Sequence, residues 1–313
     1  MASLSYIVYV LASLLNPVSF FLHGHHSQYS GNSNRSIEEH GDDRYKAALF
    51  VFGDSLFEAG NNGYLPYVTI EMDAAIAWPY GETFFHYPTG RFSDGRIVPD
   101  FIAKYAKLPM IPPYLQPGPH DYTVGCNFAS AGAGVLVETS PDLHKISLPE
   151  QLAYLKDVKR SLQQELGDFK AERLLKDAVY LMGIGGDDYF SFYNNSPNAT
   201  KSAQLESVAL VVGNLSIILR EMYDLGGRKF AFQNTGPLGC IPYRRQEYNS
   251  KDGCVEGLNS LAILHNAALV SVLQEFESQL PGFKYSVFDY YNSLYDRIND
   301  PAKYGTLSSI DSL

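Results

Sequence analysis

Cysteine is scarce: three in 313 residues. That is too few for a fold built on disulfides, so stability must come from a hydrophobic core. Cys240 and Cys254 are the candidate pair, a bridge closing a short loop and adding about 3 kcal/mol by chain-entropy reckoning. Cys126 falls in an apolar run and reads as a buried free thiol. Cationic side chains are also in deficit, with 24 Lys and Arg against 34 Asp and Glu and a formal net charge of −10. This balance argues against nucleic acid, or an anionic membrane surface, as the main partner. No Gly-x-Ser-x-Gly occurs, which excludes the nucleophile elbow of ordinary α/β-hydrolases. Aromatic residues, by contrast, reach 13%, a share that suits a globular core and excludes a disordered chain.

The first 22 residues carry no Lys or Arg. Leu4 to Leu22 is nonetheless apolar enough for a secretory signal, expected over residues 1–24. A single-span anchor is the alternative, but Asn16 and Pro17 interrupt a run barely long enough to cross a bilayer. Residues 25–45 are polar and read as a flexible leader, in which His25 and His26, with His23 just before them, are solvated rather than metal-binding. Sequons at Asn34, Asn194, Asn198 and Asn214 fit an exported glycoprotein. Residues 46–313 then form one catalytic domain, and no metal or other cofactor is implied.

The domain opens on Ala47-Ala48-Leu49-Phe50-Val51-Phe52, an apolar run that stops at Gly53-Asp54-Ser55. It reads as a buried parallel strand whose carboxyl end holds a hydroxyl up to a cleft. Four more apolar runs are expected as buried strands: Tyr122 to Ala129, Ala178 to Ile184, Lys229 to Phe232 and Phe283 to Tyr290. Between them helical spacing predicts Ile97–Leu108, Leu148–Leu166, Ser202–Leu225 and Val255–Leu280, with a short helix after the fifth strand. Residues 61–88, rich in Tyr, Pro and Gly, read as a long loop over the cleft. Arg91 and Arg96 read as surface residues paired with nearby acids, and His265, on a Leu/Ala/Val face, as a core residue. Strands alternating with helices give an α/β fold of three layers, α/β/α.

Five blocks carry a resemblance. Phe52-Gly53-Asp54-Ser55 through Asn61-Asn62, Gly90-Arg91-Phe92-Ser93-Asp94-Gly95-Arg96, Asn127 through Gly134, Gly185-Gly186-Asp187-Asp188-Tyr189 and Asn234 through Pro242 are similar to those of the plant GDSL esterase/lipase family, a branch of the SGNH serine hydrolases. The likeness runs from about Ala47 to Gly305. It implies a parallel five-stranded flavodoxin-like sheet and hydrolysis of acyl esters, a lipid or small ester being the substrate. It also implies roles: Ser55 as nucleophile, and Gly132 as a backbone N–H donor to the oxyanion.

Two departures stand against that likeness. Where the family carries an oxyanion-binding Asn this chain has Asp187, and an ionised carboxylate has no proton to give. Only a carboxyl that keeps its proton in an apolar setting escapes the objection. The family also takes its base from an Asp-x-x-His beyond the fifth strand, and that spacing occurs nowhere here. The expectation is therefore a domain lacking its last catalytic block and an ester hydrolase of weak or no activity. The alternative is a catalytically dead binding protein with a protein partner. A third possibility is a poorly stable chain whose sheet is left partly uncovered.

Overall fold

The computed structural model describes residues 47–66, 68–69, 73–250 and 253–304. The segments expected as signal and leader, and with them Asn34, lie outside the described residues. Five strands form one sheet: β1 (Leu49–Gly53), β2 (Gly125–Asn127), β3 (Val179–Gly183), β4 (Lys229–Gln233) and β5 (Lys284–Phe288). Every pairing is parallel and the order is β2-β1-β3-β4-β5, the flavodoxin-like order. Eight α-helices accompany it among the described residues. They are α1 (Val98–Tyr105), α2 (Leu148–Leu166), α3 (Asp168–Asp177), α4 (Gly186–Asn195), α5 (Lys201–Asp224), α6 (Pro242–Glu247), α7 (Glu256–Gln279) and α8 (Tyr290–Asn299).

Strand alternation explains the three layers. Ala48, Phe50 and Phe52 face one core, and Leu49 and Val51 the other. Tyr180 and Met182 of β3 repeat the first choice, Val179 and Leu181 the second. The larger core takes the apolar faces of α2, α3, α5 and α7, while the smaller takes Ile102 and Ala103 of α1. Across the larger face runs a row of rings, with Phe52–Phe128 at 4.9 Å, Phe50–Tyr180 at 5.6 Å, Tyr180–Phe230 at 5.3 Å and Phe230–Phe283 at 4.8 Å. Pairs at such distances add about 0.5–1.5 kcal/mol each beyond area burial. Helices α5 and α7 are long and apolar enough to cross a bilayer, but both contribute core residues here and pack on one another.

Three expectations need correction. The second strand spans three residues, not eight, because Tyr122–Val124 winds into a 3-10 turn with the Asp121 side chain accepting from Thr123 N. The fifth strand is not a buried run. It pairs only with β4, and its residues range from partly buried to exposed, whereas β1 and β3 are wholly buried. Nor is Arg91 at the surface. It is buried, its Nε and Nη2 each 2.9 Å from the Asp100 carboxylate and its Nη1 3.1 Å from Ala59 O. Arg96 lies over the rings of Phe84 and Phe101, 4.4 Å from each centroid.

Candidate active site

The carboxyl ends of β1, β2 and β3 are drawn together by side chains that spacing alone did not reveal. Gln151 of α2 grips the end of β1, accepting from Gly53 N at 3.0 Å and donating to Gly53 O at 2.8 Å. Position 53 must be glycine, since a Cβ there would lie 2.4 Å from Gly183 O on the neighbouring strand. Ser55 therefore follows a fixed point, two residues past the in-register pair Gly53 and Gly183. Its Oγ has no hydrogen-bond partner among the described residues.

The turn after β2 is tied to the turn after β1. Ser130 N donates to Gly53 O at 3.1 Å, and Glu58 accepts from both Asn62 N and Ala131 N at 2.6 Å. Asn62 reaches Ala131 O and the Ser130 hydroxyl, and Asn61 reaches Asn127 O and Ala129 O. This lattice delivers Gly132, whose φ of +79° an L side chain rarely adopts. Leu143 covers it. Burial holds the Glu58 carboxyl up at about 8, against the pull of its two backbone donors.

The third contribution comes from α4, which starts directly after β3. Asp188 faces the turn after β2 and accepts from Val135 N at 2.9 Å, Leu136 N at 3.0 Å and the Thr139 hydroxyl. Asp187 is half-buried and accepts no hydrogen bond among the described residues. Asp54, buried beside them, accepts from Leu56 N at 3.0 Å. Burial first, and then the neighbouring carboxylates, push Asp187 well above the ordinary range and Asp54 to about 7. Tyr189 ties α4 to α7, its hydroxyl 2.7 Å from His265 Nδ1. Burial lowers His265 to about 4, so it stays a neutral core residue.

No imidazole among the described residues hydrogen-bonds to Ser55. His86 Nδ1 lies 3.1 Å from Glu82 O and His120 Nε2 2.7 Å from Gln116 O, while His265 is spoken for and His144 is exposed. Elsewhere, Cys240 and Cys254 form a disulfide that closes the turn bearing α6. Cys126 is a buried free thiol. Asn194 and Asn198 are exposed, whereas Asn214 lies within α5, its amide donating to Leu210 O at 2.8 Å. A cavity of about 550 Å³ lies behind Gly60, lined by Tyr64, Ile76, Phe85, Tyr87, Met110 and Pro112 among others, and none of Ser55, Gly132 and Asp187 lines it.

The family model for GDSL-like lipase/acylhydrolase matches residues 49–313, which take in all five strands and eight α-helices described above. The chain belongs to this family. It is 46% identical over 264 residues to GDSL esterase/lipase 1 of Arabidopsis thaliana, covering 83% of this chain and 70% of that protein. It is 44% identical to GDSL esterase/lipase 5 of the same plant, covering 88% and 71%, and 44% identical to a GDSL lipase of Tanacetum cinerariifolium, covering 83% and 68%. The GDSL fold is thus that of a serine ester hydrolase.

Proposed function

We propose that this chain is a secreted plant-type GDSL protein that binds acyl esters at the ends of β1, β2 and β3 and turns them over weakly. Ser55 is the nucleophile and Gly132 N–H an oxyanion donor. The observation that carries the reading is the pairing of two turns: Glu58, Asn61 and Asn62 hold the Gly132 turn against the Ser55 turn, while the Ser55 hydroxyl is left without a partner. A serine hydroxyl is a poor nucleophile without an adjacent base. Loss of a triad member leaves only about 10³–10⁴-fold catalysis over water.

The test is a serine-directed fluorophosphonate together with a short-chain nitrophenyl ester. Slow labelling and slow turnover, both abolished in Ser55→Ala, are expected. Rates of an ordinary esterase, or turnover that survives Ser55→Ala, would overturn the reading. A binding protein without catalysis is the second reading, favoured by Asp187, whose carboxylate when ionised has no proton to donate. Labelling no faster than in Ser55→Ala, with ester binding retained, would select it. Support for secretion comes from the apolar N-terminal run, the Cys240–Cys254 bridge and the exposed sequons at Asn194 and Asn198.

A further inference from the structure

The cleft behind Gly60 takes no part in the chemistry at Ser55, yet its volume of about 550 Å³ is that of a small-molecule site. Three loops wall it, residues 59–64, 85–91 and 110–116, together with Ile76. These walls are fixed to one another. A Cβ at Gly90 would lie 2.4 Å from Gly60 Cα, so the first two loops touch backbone to backbone, and Gly90 N donates to Ala75 O at 3.1 Å. Pro112 O accepts from Asn127 N of β2 at 2.9 Å. Glu58, Asn61 and Asn62, which alternate in the chain with lining residues, anchor the first loop through their hydrogen bonds to the turn after β2. The cleft is therefore preformed.

Its lining excludes most chemistry. Among the described residues it holds no Asp, Glu, His, Cys or Lys, so it has neither a base nor a set of metal ligands. Arg91 is the one charged residue of the wall, and it is buried and already compensated by the Asp100 carboxylate. What remains is ring and aliphatic surface from Tyr64, Phe85, Tyr87, Ile76, Met110 and Pro112, with few polar groups. One of those polar groups is poorly served. Arg91 Nη2 spends its second N–H on the Met110 thioether at 3.9 Å, a weak acceptor that an oxygen would displace.

We propose that this cleft binds an uncharged aromatic molecule bearing a hydroxyl or carbonyl oxygen, at a site separate from Ser55. The proposal does not rest on the esterase reading. The ring of the ligand packs against Tyr64 and Tyr87, which are 46% and 61% exposed, in the offset or edge-to-face arrangement that aromatic pairs prefer. Phe85 is already engaged, with the Arg91 guanidinium 4.9 Å from its centroid. The ligand oxygen accepts from Arg91 Nη2 in place of the Met110 sulfur. An anion gains little, because Asp100 has neutralised the only cation of the wall. A sugar brings more hydroxyls than the wall has partners for, and an aliphatic alcohol forgoes the ring contacts.

The Met110 methyl group reports on the site. The chain has five methionines, so a methyl-labelled NMR spectrum of the whole protein is simple, and Met110→Leu identifies the resonance. Titration with p-cresol at about pH 6, where a phenol is uncharged, should shift that resonance saturably. A dissociation constant of about 1 mM is expected for so small a ligand. The shift should be the same in Ser55→Ala. Tyr64→Ala and Tyr87→Ala, at exposed positions, should melt like the wild type and weaken binding about 2- to 10-fold each. In the unaltered protein, toluene tests the oxygen, cyclohexanol the aromatic ring, para-hydroxybenzoate the charge and glucose the sugar alternative, and each should bind more weakly than p-cresol. No saturable shift up to about 10 mM, ten times the expected constant, overturns the proposal. So does any of the four controls binding as tightly as p-cresol, or loss of the shift in Ser55→Ala, which would place the ligand at the ester site. Should Ser55 prove inert toward fluorophosphonate while p-cresol still shifts Met110, the esterase reading fails and the cleft stands.

Discussion

Gln151 shows how much one amide does. It satisfies both backbone groups of Gly53 and, through Nε2, Ile146 O at 2.9 Å, all in a fully buried setting. Gln151→Leu keeps the volume and removes the polar atoms. Each buried polar group left unpaired costs about 1–3 kcal/mol. We expect this variant to lose about 3 kcal/mol or more in urea unfolding, and to lose Ser55 labelling as the end of β1 loosens. Asp188 behaves likewise toward the Gly132 turn, because its three donors come from residues 135–139. Ser55→Ala, by contrast, removes a hydroxyl with no hydrogen-bond partner among the described residues, so its melting temperature should match the wild type.

At the scale of elements, two ties outside the sheet hold its loops. The buried Arg91–Asp100 pair joins the loop before α1 to Ala59 O in the turn after β1, and Asp100, in the first turn of α1, reaches back to accept from Ile97 N at 2.9 Å at its N-cap. Removing one partner of a buried pair strands the other charge, at a cost of about 3–5 kcal/mol. Asp100→Ala should therefore destabilise by that much in chemical denaturation, and Arg91→Met, which leaves Asp100 its backbone donor, by less. The Cys240–Cys254 bridge spans a sequence separation of 14. Replacing both cysteines by alanine should lower stability by about 3 kcal/mol, by loop-closure entropy.

The whole molecule should respond to pH in a sign set by its buried carboxyls. Asp54, held at about 7, and Glu58, held at about 8, keep protons in the folded state that the unfolded chain releases near pH 4. The fold then binds more protons than the unfolded chain, so stability falls as pH rises between about 4 and 8. His265, lowered to about 4, works in the opposite direction between about 4 and 6.5, because the unfolded chain then binds the extra proton. With one histidine against several acids, the melting temperature should decline from pH 5.5 to 8. Asp54→Asn should flatten that decline. A melting temperature that climbs over this range would contradict the protonation states described here.

Much of this architecture was legible in residue order. β1, β3 and β4 are short apolar runs ending in Gly or a polar turn, and α2, α5 and α7 carry long helical periodicity, so local chemistry alone specifies them. The edges were less legible. β5 pairs on one side only, β2 has beyond β1 just a bridge from Asn127 to Pro113, and nothing in an apolar run tells an edge strand from a central one. Helix α4, Gly-Asp-Asp-Tyr-Phe-Ser-Phe-Tyr-Asn-Asn, has little intrinsic preference for helix, and packing of Tyr189 against His265 supplies what propensity does not. The sequence by itself determined the layered α/β class, the place of Ser55 at a strand end and the lack of an Asp-x-x-His, because each is a matter of residue type and spacing. Only the tertiary structure decided that Glu58, Gln151 and Asp188 hold the turns, that Arg91 is buried, and that Asp187 shares its corner with two other carboxyls. Hydrogen bonds and charges act through space, and residues more than a hundred positions apart in the chain meet there.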